Sequence, residues 1–180
     1  MYHSDSELVN YCIKGDKKAL RHLYTKYASK MFGLCLRFAK NKMEAEDILQ
    51  DGFIKIYSNL ESYRHEGSLE GWIRRTFVNT AINSYKRKAK SRDELDIDEL
   101  EVNDSANNSA IEQMSANEIL DYIQEMPDGY RMVFNLNVIE GYTHKKIAEI
   151  LDISENTSKS QLSRAKALLR KKIIEQRNSK

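Results

Sequence analysis

Three carboxylates and an amide recur at helical spacing early in the chain. Glu44, Asp47, Gln50 and Asp51 fall about one turn apart, with Lys55 a turn further on. Clustered carboxylates can hold a divalent cation or exchange protons with a substrate. No histidine accompanies them, a solvated helix face explains acids equally well, and a protein-docking surface is a third option. The residues alone leave all three open. A second series is Trp72, Arg75, Asn79, Asn83, Lys86 and Lys90, at steps of three, four, four, three and four. It makes one ridge of amides and cations with the chain's single tryptophan at its start. An aromatic ring beside such a ridge suits unstacked bases of single-stranded nucleic acid. A lone tryptophan is more often core; the ridge shifts the reading. A third series is Asn156, Thr157, Ser160, Ser163, Arg164, Ala167 and Lys171, flanked by Lys159. These side chains can bond base edges or phosphates of a duplex, and the small ones let a helix backbone come close.

Helices must carry all three series. From Ala19 to Phe38 apolar residues fall at Leu20, Leu23, Tyr24, Tyr27, Met31, Leu34 and Phe38, at steps of three, one, three, four, three and four, an amphipathic pattern. NKMEAEDILQDGFIKIYSNL repeats it, with Ala45, Ile48, Leu49, Phe53, Ile56 and Leu60 inward. A third helix starts after the capping Ser68 and runs to about Lys88, burying Ile73, Phe77, Val78, Ala81 and Tyr85. SRDELDIDELEVNDSANNSA, residues 91–110, is acidic and thin in large apolar residues, and reads as a mobile tether. Helical periodicity returns with Ile111, Met114, Ile119 and Ile123. Pro127 punctuates it, and the apolar YRMVFNLNVI forms a short helix ending at Gly141. Thr143–Leu151 and Asn156–Ile174 follow, joined by DISE. In the last helix Ser158, Leu162, Ala165, Leu169 and Ile173 form the inward stripe. The acid-free side opposes it, and Ser154 caps the start. A short helix, a tight turn and a longer basic helix make a helix-turn-helix that would enter the major groove. A solvated amphipathic hairpin is the plainer reading.

Composition agrees. The 180 residues are 41% hydrophobic, with seven glycines and one proline, which favours an all-α chain of one or two small cores. The net charge of +2 conceals a pattern. Residues 1–90 hold 17 Lys+Arg against 10 Asp+Glu, residues 91–130 one against 12, and residues 131–180 11 against five. Two basic bodies flank an acidic middle, and basic domains suit a polyanionic partner. Cys12 and Cys35 stand in apolar helical contexts, outside any CxxC pair, and read as reduced packing thiols. The absence of a signal-like or membrane-spanning stretch predicts a soluble, cytoplasmic chain without direct membrane insertion.

Taken in order, AEDILQDGFIKIYSNL, YRHEGSLEGWIRRTFVNTAINSYKRK, the acidic spacer and MPDGYRMVFNLNVIEGYTHKKIAEILDISENTSKSQLSRAKALLRKK resemble RNA polymerase sigma factors of the sigma-70 family, extracytoplasmic-function (ECF) group. The resemblance implies two small helical domains: region 2 over residues 8–90, a 91–110 linker, and region 4 over residues 111–177. It implies that Asp47, Gln50, Asp51 and Phe53 dock on core polymerase. It implies that Tyr63, Arg64, His65, Trp72, Arg75, Asn79, Asn83, Lys86 and Arg87 open and read the −10 element. It implies that Asn156, Thr157, Lys159, Ser160, Ser163, Arg164 and Lys171 read the −35 element as duplex. Core polymerase, promoter DNA as duplex and melted strand, and an anti-sigma factor are the implied partners. No catalytic residue, metal or cofactor is implied. The chain departs from the family pattern at Lys146, where glutamate is common, Asn83 for aspartate, Asn156 for glycine and Ser158 for valine. A stand-alone helix-turn-helix regulator and a metal-dependent enzyme using Glu46, Asp47 and Asp51 are the rival readings.

Overall fold

The computed structural model describes Tyr2, residues 4–91 and residues 116–178. All the regular structure among them is helical. The chain divides into two compact units, Met1–Ser84 and Tyr85–Lys180, and the division falls inside a helix. The tether expected over residues 91–110, and Ile111 and Met114 beyond it, lie outside the described residues apart from Ser91.

The first unit opens on α1, Asp5–Ile13, which the periodicity argument overlooks. Its signal is local: Ser4 Oγ accepts from Glu7 N at 3.1 Å, half of a Ser-x-x-Glu capping box. Helix α2 spans Lys17–Phe38, capped by Asp16 on two amides, and α3 spans Lys42–Asn59. A single 3-10 turn, Leu60–Ser62, ends α3, and α4 spans Leu69–Ser91. Leu8, Leu23, Met31, Leu34, Ile56, Leu69, Ile73 and Phe77 form the fully buried centre. The expected inward faces of α2, α3 and α4 supply most of these. Leu20, Leu49 and Tyr85 are half-buried, and Tyr24 is 44% exposed with its ring centroid 4.7 Å from that of Phe53.

Gly52 permits a close helix approach. A Cβ built there would overlap the Phe77 ring, so α3 and α4 meet at that depth because position 52 has no side chain. Helix α4 also carries inward polar side chains that its apolar periodicity does not show. Thr76 and Thr80 donate to the carbonyls of Trp72 and Thr76 at 3.0 and 2.8 Å, and Ser84 is buried one turn on. Bonding to the helix's own carbonyls lets hydroxyls sit in an apolar interior.

In the second unit α5 spans Ala116–Glu125, and α6, Asp128–Phe134, continues into a π turn over Asn135–Ile139. Gly141 then reverses the chain at φ +74°. Helices α7, His144–Leu151, and α8, Glu155–Asn178, complete the unit. Ile123, Tyr130, Val133, Leu136, Ile147, Leu162, Ala165 and Ile173 are buried together. Arg131, 2% exposed, closes the α5–α6 turn. Its Nη1 donates to the carbonyls of Gln124 and Met126 at 3.0 and 2.7 Å, and Nη2 pairs with Asp128. The guanidinium thus takes up carbonyls that the end of α5 leaves open.

Candidate nucleic-acid and docking surfaces

The DISE turn sets the geometry of the helix pair α7–α8. Thr143 caps α7, its Oγ1 accepting from Lys146 N at 3.2 Å. Asp152 takes the left-handed conformation at φ +58° and ends the helix. Ile153 returns, half-buried, and Ser154 Oγ accepts from Thr157 N at 2.9 Å to start α8. The inward stripe is as read: Ser158, Leu162, Ala165 and Ile173 are buried and Leu169 is half-buried.

The opposite side presents Asn156, Lys159, Ser160, Ser163 and Lys171 to solvent. Thr157 and Arg164 are half-buried. Arg164 Nη1 lies 3.3 Å from the Tyr130 hydroxyl of α6, which steers the guanidinium at the shoulder of the face. Ser160 Oγ donates to Thr157 O at 3.0 Å, its resting partner. The expectation of an acid-free side needs correction. Glu155 reaches Lys159 at 2.8 Å and Glu175 approaches Lys171 at 3.9 Å. Their i,i+4 spacing brings them round the helix to the cations. The Lys159 ammonium, hydrogen-bonded to Glu155, holds that carboxyl below its ordinary range. Lys146 likewise pairs with Glu149 at 2.9 Å, so the departure at 146 is matched within its own helix.

On α4 the ridge residues Arg75, Asn79, Asn83, Arg87 and Lys90 are exposed, and Trp72 and Lys86 are half-buried. The preceding loop is shaped by Tyr63, which the structure places inside it rather than on its surface. Tyr63 is 7% exposed. Its hydroxyl donates to Gly67 O at 2.9 Å, and its ring lies 4.7 Å from His65 and 5.7 Å from Trp72. His65 and Gly67 both have positive φ, 58° and 84°. Arg64 and His65 are left exposed beside the half-buried indole, and Ser68 caps α4 through Gly71 N at 3.0 Å.

The α3 carboxylates separate by partner. Glu44 is consumed locally: its amide donates to Asn41 Oδ1 at 2.9 Å and its carboxylate accepts from Lys40 N at 3.1 Å. Lys55 turns inward to Thr80 Oγ1 at 3.3 Å. Asp47 and Gln50 are exposed and Asp51 half-buried. Phe53 is 4% exposed and packs edge-on against Phe77, so it supports this surface from beneath. Among the described residues no three His, Cys, Asp or Glu side chains converge as a cation site. Among them, too, no helix is long and apolar enough to cross a membrane.

Comparison with known proteins identifies both units. Sigma-70 region 2 matches residues 23–91, and Sigma-70 region 4 matches residues 116–169. The ECF RNA polymerase sigma-E factor of Haemophilus influenzae is 30% identical, over 94% of this chain and 95% of its own. The Escherichia coli K12 ECF RNA polymerase sigma-E factor is 28% identical, over 94% of each chain. Among solved structures, the sigma factor RpoE of Bartonella quintana, in complex with the anti-sigma factor NepR, has a TM-score of 0.49 and 17% identity, covering 87% of this chain and 98% of that one. The chain belongs to the sigma-70 family, whose members are promoter-specificity subunits of RNA polymerase. Within that family it is an ECF-type sigma factor.

Proposed function

We propose that this ECF sigma factor divides its work among three surfaces. As a sigma factor it binds core RNA polymerase and directs initiation at promoters carrying −10 and −35 elements. Asp47, Gln50 and Asp51 on α3 dock on the core, with Phe53 as their buried support. The loop residues Arg64 and His65, held by Tyr63, and the ridge Trp72, Arg75, Asn79, Asn83, Lys86 and Arg87 open and read the −10 element. Asn156, Thr157, Lys159, Ser160, Ser163, Arg164 and Lys171 read the −35 element in the major groove. The observation that supports the division most is the exposed polar side of α8 behind a capped tight turn from α7, with Leu162 and Ala165 buried opposite. Small hydroxyl and amide side chains there allow close backbone approach, and Arg164 suits bidentate contact with a guanine.

The chain supplies no catalytic group in this reading; nucleotide addition belongs to the core enzyme. It works in the cytoplasm, where that enzyme works. An anti-sigma protein as a reversible cap rests on family membership alone. Transcription in vitro tests the whole: the purified chain plus core enzyme should start promoter-specific RNA on genomic DNA. No specific start from any template would sink the reading. A stand-alone regulator, by contrast, would bind its duplex tightly without polymerase.

A further inference from the structure

Ser158 occupies an inward position of α8 at 0% exposure, among aliphatic neighbours of the stripe. A hydroxyl there needs a partner, and the structure supplies one: Ser158 Oγ lies 2.9 Å from His144 Nδ1. His144 is the first residue of α7 and half-buried. The bond therefore ties the start of α7 to the first turns of α8. Its two neighbours on α8 are Thr157 and Lys159, both assigned to the DNA-facing side. An aliphatic contact resists separation but tolerates sliding and rotation. A hydrogen bond is directional and weakens steeply as it bends. Either ring nitrogen state preserves it, since Nδ1 can accept from the hydroxyl or donate to it.

We infer that His144 and Ser158 are positioning residues that set how the N-terminal half of α8 presents Thr157, Lys159 and Ser160, and so determine selectivity at one end of the upstream element. The inference rests on the −35 assignment of α8. It also gives a polar residue in an aliphatic stripe a consequence: a fixed angle where a greasy contact would allow sliding.

The test uses the full chain with core enzyme on a promoter library randomised across the −35 element, reading transcripts by sequencing. His144→Phe keeps ring bulk and removes the bond. Ser158→Val removes the hydroxyl and leaves an aliphatic side chain in the stripe. Each should change the preference at bases on one side of the element by about fivefold, the scale of one buried hydrogen bond. The double variant should be no worse than either single, because both remove the same interaction. His144→Asn, which places an amide atom near the Nδ1 position, should restore the original preference. An unchanged preference in Ser158→Val overturns the inference, as does a uniform loss across all sequences that asparagine does not rescue. Ser158→Val and His144→Asn keep the result decisive should His144→Phe not fold. If the unsubstituted chain is itself indifferent to the upstream element, the −35 assignment falls and this inference with it.

Discussion

Arg164 reaches the edge of its face rather than the middle, because the Tyr130 hydroxyl holds one nitrogen at 3.3 Å. That leaves the remaining donors for DNA without a long search through rotamers. Arg164→Ala should cost about 1–3 kcal/mol at the upstream element, concentrated on one base pair if the contact is bidentate. Competition binding of the holoenzyme to promoters mutated base by base would show it; an equal loss at every base would assign Arg164 to phosphate instead. The thiols give a second residue-scale test. Burial pushes Cys35 up to about 12 and Cys12 up to about 11. Both pKa values are raised on folding. Their contribution to stability is therefore complete below the ordinary thiol pKa of 9.0 and is lost as pH climbs toward 11 and 12. At neutral pH both should resist a thiol reagent in the folded chain and react quickly in denaturant. Fast labelling under native conditions would contradict the burial.

At the scale of elements, the contact between α3 and α4 depends on the missing side chain at Gly52. Gly52→Ala should destabilise the first unit by about 1–3 kcal/mol, because the buried Phe77 ring has little room to retreat. Chemical denaturation followed through Trp72 fluorescence would detect it. The α5–α6 turn makes the matching case in the second unit. Arg131→Met removes the partner of two carbonyls and of Asp128, for an expected loss of about 2–4 kcal/mol. Docking belongs to this scale too. Asp47→Lys reverses an exposed charge on α3 and should reduce co-purification with core enzyme while leaving the helix intact. Normal co-purification would remove Asp47 from the docking surface.

Most helices were legible because their inward residues repeat at three and four, as Leu23, Tyr27, Met31 and Leu34 do on α2. What periodicity missed has other physics. The nine residues of α1 are too few for a long repeat, and their signal was the Ser4 cap. Thr80 and Ser84 look polar in sequence yet are buried, and Thr76 and Thr80 bond carbonyls of α4 itself. Tyr63 was legible as part of the loop before α4, but its inward turn depends on a bond to Gly67 that only three dimensions reveal. The exposed polar side of α8 was legible as a wheel; its pairings, Glu155 with Lys159 above all, were not, because residue spacing does not carry the reach of side chains.

For the molecule as a whole, that last pair changes how the protein meets a polyanion. Glu155 serves Lys159 as an intramolecular counterion. When DNA arrives, a phosphate must compete with a carboxylate already in place, so this lysine displaces little salt from the duplex. Glu155→Gln frees it. The slope of log affinity against log salt should then steepen by about one unit, with tighter binding to any duplex at low salt. Holoenzyme titrations at several salt concentrations measure that slope, and an unaltered value would mean Lys159 never reaches the backbone. If it does, the acid at the start of α8 restrains indiscriminate attraction, and promoter choice is left to the residues that read bases.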